Sequence, residues 1–516
     1  MVGTLATKAV PKSIARWCAL VAVAFILAVP LFDTAAIAGS PKEQQTAETM
    51  TWLDVAALDR HSQPVIDLNQ DDFQVYDDGK RQRIVYFRPP ASMRLQLATV
   101  VPHEFGNRGE AGISPPTVIL LDLLNARFLV RYAGWEELIR ALQTLKSPDS
   151  VYLYLLSIHG ALHPVHPLSL TPAGNPAGPS WTANIEDALN RLMREESGLR
   201  TIEEQDPLLR TSWTYKALNE LGNSMAAFPG RKSLVWISHG VPASFPLVGN
   251  QWFDSAPYLR ALSANFARTR IAVYTVDQWA DGVGVPGSLT TQTLEQVSAL
   301  TGGRTYASDH TEVAITGAIG DAGACYAIGY FPQSEKSHGK FHKIRVTIDR
   351  PGLRAQVQQG YYADRAPLSP EARTVAILRQ AAARLPDDPG IGLRASLSAL
   401  GDSPAAMHLR IRVDAADLLL SAQDRRYSGQ IELAVAGYTD DGPQELVPPA
   451  PIDLTMTEEE RDRYFKDGLK LTRDLSLDSK IRAIRIFLVD RRSGASGSLT
   501  IPLALSNDSA SYTPRK

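Results

Sequence analysis

Apolar residues follow three different rhythms along this chain. From 117 to about 322, continuous apolar runs alternate with stretches of helical period. Val118-Ile119-Leu120-Leu121 is such a run, the pattern of a parallel strand buried on both faces. Phe128, Tyr132, Trp135, Ile139 and Leu142 then recur at spacings of four, three, four and three, which gives a helix one apolar stripe. Further strands are predicted at Val151–Leu156, Leu234–Ile237 and Ile271–Val276, with a short one at Arg304–Ala307. Helices fit near 183–194, 212–227, 254–268 and 290–300, the last closed by Thr301-Gly302-Gly303. This alternation predicts a doubly wound α/β unit with a mainly parallel sheet.

The flanks alternate with a period of two. Strands are predicted near Trp52–Leu58 and on either side of Asp77-Asp78-Gly79-Lys80, where Phe73 and Val75 oppose Ile84 and Tyr86 across a tight turn. Tyr326–Phe331, Ile344–Ile348 and Ala355–Gln359 continue the pattern. Beyond a helix expected from Ser369 to about Leu385, Met407, Leu409, Ile411 and Val413 alternate with polar neighbours, as do Ile431, Leu433, Val435 and Ile484, Ile486, Leu488. That repeat predicts a β-sandwich. The domains expected are an N-terminal β segment (39–90), a linker (91–116), the α/β unit (117–322), a second β segment (323–363), a helical linker (364–392) and the sandwich (393–510). Neither β segment alone has enough strands to be stable, so 50–88 is expected to pack with 326–360.

Residues 1–38 are read as a secretory signal peptide. Lys8, Lys12 and Arg16 precede an uncharged apolar run from Trp17 to Phe32, and Ala36-Ile37-Ala38 supplies the small-x-small cleavage site. The run is short for a membrane span and Pro30 interrupts it, so membrane contact is expected only through this segment if it is left uncleaved. Periplasmic or secreted localisation follows. Of the 516 residues, 53 are Lys or Arg and 55 are Asp or Glu. Cleavage after Ala38 leaves 50 basic and 54 acidic residues, and a mildly acidic chain with no basic run argues against nucleic-acid binding. Cys18 departs with the leader, leaving Cys325 without an internal disulfide partner and, at the start of a predicted strand, buried and inert.

Several short stretches occur in a telling order: Pro64…Asp71-Asp72-Phe73-Gln74-Val75-Tyr76-Asp77-Asp78-Gly79-Lys80, Leu120-Leu121-Asp122-Leu123-Leu124-Asn125, Pro229-Gly230-Arg231-Lys232-Ser233-Leu234-Val235-Trp236-Ile237-Ser238, Tyr274-Thr275-Val276-Asp277, Thr301-Gly302-Gly303-Arg304, and Gly329-Tyr330-Phe331-Pro332 with Gly360-Tyr361-Tyr362. Together they resemble the von Willebrand factor A-related domain family of the acidobacterial type, over about 310 positions and not beyond residue 365. The resemblance implies a ligand-binding module of the kind found in adhesion and assembly proteins, many of which hold a metal at the top of the sheet. The family's metal motif is similar to D-x-S-x-S, with a distant Thr and a later Asp. Here Asp122 is present, but Leu124 and Ala126 stand at the serine positions and His239 where the later Asp is expected. A divalent cation is therefore not expected, and no other cofactor is implied.

Ligands of doubly wound folds bind beyond the carboxyl ends of the strands. Asp122, Asn125, His239 and Asp277 fall there and are the candidate ligand-binding residues, weighed against simple turn capping by Asp122. Gly282-Val283-Gly284-Val285-Pro286-Gly287 fits a dinucleotide fingerprint literally, but it follows a late strand and contains proline, so a loop is the better reading. His159, His163 and His166 suggest zinc only faintly, and a strand or loop edge is favoured. Ser238-His239 with Asp122 or Asp277 would make a poor hydrolase, since no nucleophile elbow exists in the chain. Trp236 and Trp252 are taken as packing residues. The function expected is a non-catalytic exported module for protein–protein interaction or adhesion, its partner an unidentified extracytoplasmic protein. The alternative is a carbohydrate-binding protein or an enzyme with its site in the C-terminal β domain.

Overall fold

The structure is a computed structural model, and it describes residues 50–90, 104–108, 115–125, 128–145, 150–169, 180–196, 206–247, 249, 251–277, 289–307, 310–332, 340–362, 379, 387–401 and 405–503. The leader, the 369–385 helix apart from residue 379, and the 282–287 glycine loop lie outside these residues.

The central unit is a six-stranded mixed sheet. Its strands run in the order Thr305–Ala307, Ile271–Asp277, Lys232–Ser238, Thr117–Asp122, Val151–Leu156, Leu162–His166. The first five are parallel; the sixth is an antiparallel edge, and it carries His163 and His166. Every residue of Thr117–Asp122 is buried, because helices cover both faces. Ile119 and Leu121 pack toward Phe128–Thr144, Ser180–Glu196 and Thr311–Gly323. Val118 and Leu120 point the other way, toward Pro207–Met225, Ala256–Thr269 and Leu289–Thr301. Gly302 ends that last helix at φ +81°, a conformation any side chain would strain.

Two antiparallel sheets form a β-body beside the central unit. One has the order Arg354–Gln356, Thr51–Leu58, Cys325–Tyr330, Ile84–Arg88. The other has Gly360–Tyr362, Phe341–Ile348, Phe73–Asp77, Lys80–Gln82. They share one core of Leu53, Val55, Phe73, Val75, Tyr326, Ile328 and Ile344. The turn at Asp78 (φ +47°) and Gly79 (φ +80°) has the doubly left-handed form suited to a two-residue hairpin. The hairpin it closes is shorter than the alternation suggests. Phe73–Asp77 pairs with Lys80–Gln82, and the chain then crosses so that Ile84–Arg88 pairs with Cys325–Tyr330 in the opposite sheet.

A part-buried ionic joint fixes the β-body to the base of the central sheet. Asp54 receives Arg270 on both carboxylate oxygens, and Arg231 donates to the Asp54 carbonyl (2.9 Å), the Gly302 carbonyl (2.8 Å) and the Tyr274 hydroxyl (3.3 Å).

The C-terminal region is a pair of facing sheets around one apolar core. Leu469–Ser476, Ala406–Val413 and Leu393–Ala399 form one sheet; Ser421–Gln423, Arg426–Thr439, Ala483–Asp490, Ser496–Pro502 and the long edge strand Gly442–Thr457 form the other. Part of the 91–116 stretch, read as a linker, belongs here. Phe105–Gly106 pairs with Leu393–Ala399, and the Asn107 amide donates to the Asp388 and Ile391 carbonyls, both at 2.8 Å. Two residues of strand leave no periodicity to read. Their attachment comes from the side chains that follow: Arg108 joins Arg88 in an ionic cluster with Asp414 and Asp417. No helix among the described residues is long and apolar enough to cross a membrane.

Candidate functional site

Register places the candidate residues in a row. Asp277 aligns with Ser238, and Leu121 with Ile237, so Asp122, Ser238 and Asp277 end three adjacent parallel strands. Asp122 is fully buried and accepts four hydrogen bonds. The Asn125 backbone N–H reaches Oδ1 at 3.0 Å. Oδ2 takes the Asn125 amide at 2.8 Å, the Trp236 indole N–H at 3.1 Å and the Ser238 hydroxyl at 2.7 Å. Burial raises the Asp122 pKa above the usual carboxylate value, and the donors from Asn125, Ser238 and Trp236 oppose that shift. Trp236 is thus a core residue that also holds the carboxylate.

The network continues into the helix Pro207–Met225. The Asn125 amide donates to Thr214 Oγ1 at 2.8 Å, and that hydroxyl donates to the Arg210 carbonyl at 2.8 Å. Asp206 caps this helix by accepting from Leu208 N–H, so its first turns are fixed where the Asp122 strand ends. Ser238 Oγ is bonded to the Asp122 carboxylate itself and accepts the Gly240 N–H at 2.9 Å.

Asp277 stands apart. It is half-buried and accepts from Thr291 at 3.0 Å, and its pKa is raised chiefly by burial, with Glu295 adding to the shift. His239 is half-buried directly after its strand. Leu124 is fully buried in apolar packing, and Ala126 lies outside the described residues. The structure therefore joins Asp122 to Asn125, leaves Asp277 on a separate bond, and adds Thr214, Trp236 and Ser238.

A hairpin, Ser244–Pro246 with Trp252–Asp254, follows the Lys232–Ser238 strand. Phe245 and Phe253 stack at 4.7 Å, Phe253 meets Tyr258 at 5.5 Å, and Tyr258 stacks on Tyr215 at 5.5 Å. These contacts tie the hairpin to the helix that carries Arg210 and Thr214. Trp252 on the hairpin is 65% exposed, Leu209 48% and Tyr258 42%.

A second polar cluster occupies the tight turn of the β-body. His342 Nδ1 lies 3.0 Å from Asp77 Oδ1 and 3.3 Å from Asp78 Oδ2, while the Tyr330 and Tyr361 hydroxyls donate to Asp77 Oδ2 at 2.8 and 2.9 Å. Asp78 also accepts the Lys343 N–H at 2.9 Å. The spacing of Asp77, Asp78 and His342 could admit a metal ion, but each carboxylate is already engaged as an acceptor in locking the turn.

No family model and no curated protein matches this chain. Among solved structures, an aerotolerance-related membrane protein from Bacteroides fragilis NCTC 9343, carrying multiple mutations to serines, is similar at 15% identity. The match covers 40% of this chain and 98% of that one, with a TM-score of 0.23.

Proposed function

We propose that the central unit is a von Willebrand factor A-related binding module of an exported protein, and that it takes a protein partner on the strand-end face. The observation that carries this reading is the set of exposed apolar side chains, Trp252, Tyr258 and Leu209, on elements fixed beside the Asp122 row. Exposed Trp and Tyr on a rigid support are what interface hot spots are made of. The motif order quoted above supports the family reading, and helices on both faces of the sheet agree with it.

Binding is proposed to be independent of a divalent metal and without catalysis. Asp122 is the one motif ligand in place, and four donors already occupy its oxygens. Asn125 turns its amide nitrogen toward it, and Leu124 offers no oxygen. A cation would have to displace Trp236 and Ser238 to reach the carboxylate, and hard ions need several oxygens at once.

A photocrosslinking amino acid at position 252 tests the reading. We expect adducts with an extracytoplasmic protein from position 252 and none from the exposed position 425 on the C-terminal sandwich. Adducts from 425 alone would move the binding surface to that domain.

A further inference from the structure

We infer that Arg210 seats a carboxylate of the protein partner, an acidic side chain flanked by apolar residues. This rests on the strand-end reading above and names the chemistry it selects. Arg210 lies in the second turn of the Pro207–Met225 helix, and its own carbonyl accepts from Thr214, the residue that anchors Asn125. The side chain is half-buried, yet its guanidinium has no hydrogen bond and no ion pair within the described residues, and Nε is fully covered without an acceptor. Asp122 is its electrostatic neighbour but gives its oxygens to other donors. Burial pulls the guanidinium below its ordinary pKa, with the Asp122 charge acting in the opposite sense.

Half-burying a guanidinium with no hydrogen-bonded acceptor is costly, and proteins rarely leave one so. Other covered guanidiniums here have acceptors: Arg88 has Asp417, the half-buried Arg270 has Asp54, and Arg231 has the Asp54 and Gly302 carbonyls. A buried hydroxyl on the same helix, Thr211 Oγ1, also lacks a partner and could donate to an anion. Five unused N–H donors in a planar fork match a carboxylate in bidentate geometry. The exposed Leu209 next to Arg210 in sequence, and the Trp252 hairpin linked to the same helix through Tyr258, call for apolar residues next to that carboxylate.

The test is titration calorimetry on the full chain with two probes, acetyl-Leu-Glu-Trp-amide and acetyl-Leu-Gln-Trp-amide. The glutamate peptide should bind at least ~tenfold more tightly, the least a charge-assisted bond supplies. Arg210→Met should abolish that preference and Arg210→Lys should keep part of it. Trp252→Ser should weaken both peptides alike. Arg210→Met should also leave the melting temperature of the free protein unchanged or higher, since it removes an unpaired cation; a drop of several degrees would make Arg210 a structural residue and overturn the assignment. Equal binding of the two peptides to the unaltered protein, or a preference that survives Arg210→Met, overturns it as well. If Trp252→Ser still weakens both peptides in those cases, the strand-end face stands and only the carboxylate is lost. If Trp252→Ser is also without effect, the face fails with it.

Discussion

Cys325 shows how much a single side chain's setting decides. It is 2% exposed, its thiol donates to the Asp321 carbonyl, and burial pushes its pKa up to about 12. Thiolate is the reactive form, so the native protein should not react with a disulfide reagent at pH 8. In a Cys18→Ser variant we expect no modification until denaturant is added, then one equivalent. Lys232 is the opposite case. Its ammonium is buried against the Phe228 and Gly230 carbonyls, and burial, with Arg270 nearby, lowers its pKa to about 7. A base depressed in the folded state releases its proton at lower pH than the unfolded chain does. Its contribution to stability therefore rises as pH climbs from about 7 toward the unfolded value near 10.4. Denaturant midpoints across that range should show the rise, and Lys232→Met should flatten it. The candidate site was partly legible at this scale. Asp122 and Asn125 stand in a recognisable strand-end motif. Arg210 and Thr214 do not, because single polar residues in a helix look like ordinary surface until the helix is placed.

Elements with a sustained rhythm could be read directly. The Val118–Leu121 run and the 128–142 stripe correspond to a strand and a helix with nearly the expected bounds. Elements without one were missed. Thr311–Gly323 is a helix rich in small residues and contains three glycines, and packing against the sheet holds it more than propensity does. Ile84–Arg88 alternates acceptably for either sheet, and only the end of the hairpin at Gln82 sends it to the other one. The Arg88, Arg108, Asp414 and Asp417 cluster was also out of reach, since its arginines and its aspartates lie some three hundred positions apart. It predicts a large, asymmetric response. Asp417→Ala leaves the buried Arg88 and the part-buried Arg108 short of a counter-charge and should cost ~3–5 kcal/mol by denaturant titration. A reversal of charge at exposed Asp440, whose partner Arg482 is also exposed, should cost under ~1 kcal/mol.

At the scale of the molecule, the joint at Asp54 decides whether the β-body and the central sheet melt together. Arg270 and Arg231 both come from the base of the sheet, and Gln356 of the β-body donates to the Gly302 and Gly303 carbonyls. Calorimetry should give one transition for these two parts. Asp54→Ala should lower its temperature and split it, by leaving the half-buried Arg270 without its carboxylate. An unsplit transition at the original temperature would show that the joint carries no coupling.

The strand Thr51–Leu58 lies between Cys325–Tyr330 and Arg354–Gln356, both of which follow it across the whole central unit. During synthesis it emerges long before either neighbour exists. Its backbone groups wait for both partner strands while some 270 residues are made. Such an edge is a template for the wrong strand, including the same segment of a nascent neighbour. The speed at which the central sheet closes therefore sets how long the β-body is exposed to mispairing, and anything that slows that sheet lowers the yield of a domain it is not part of.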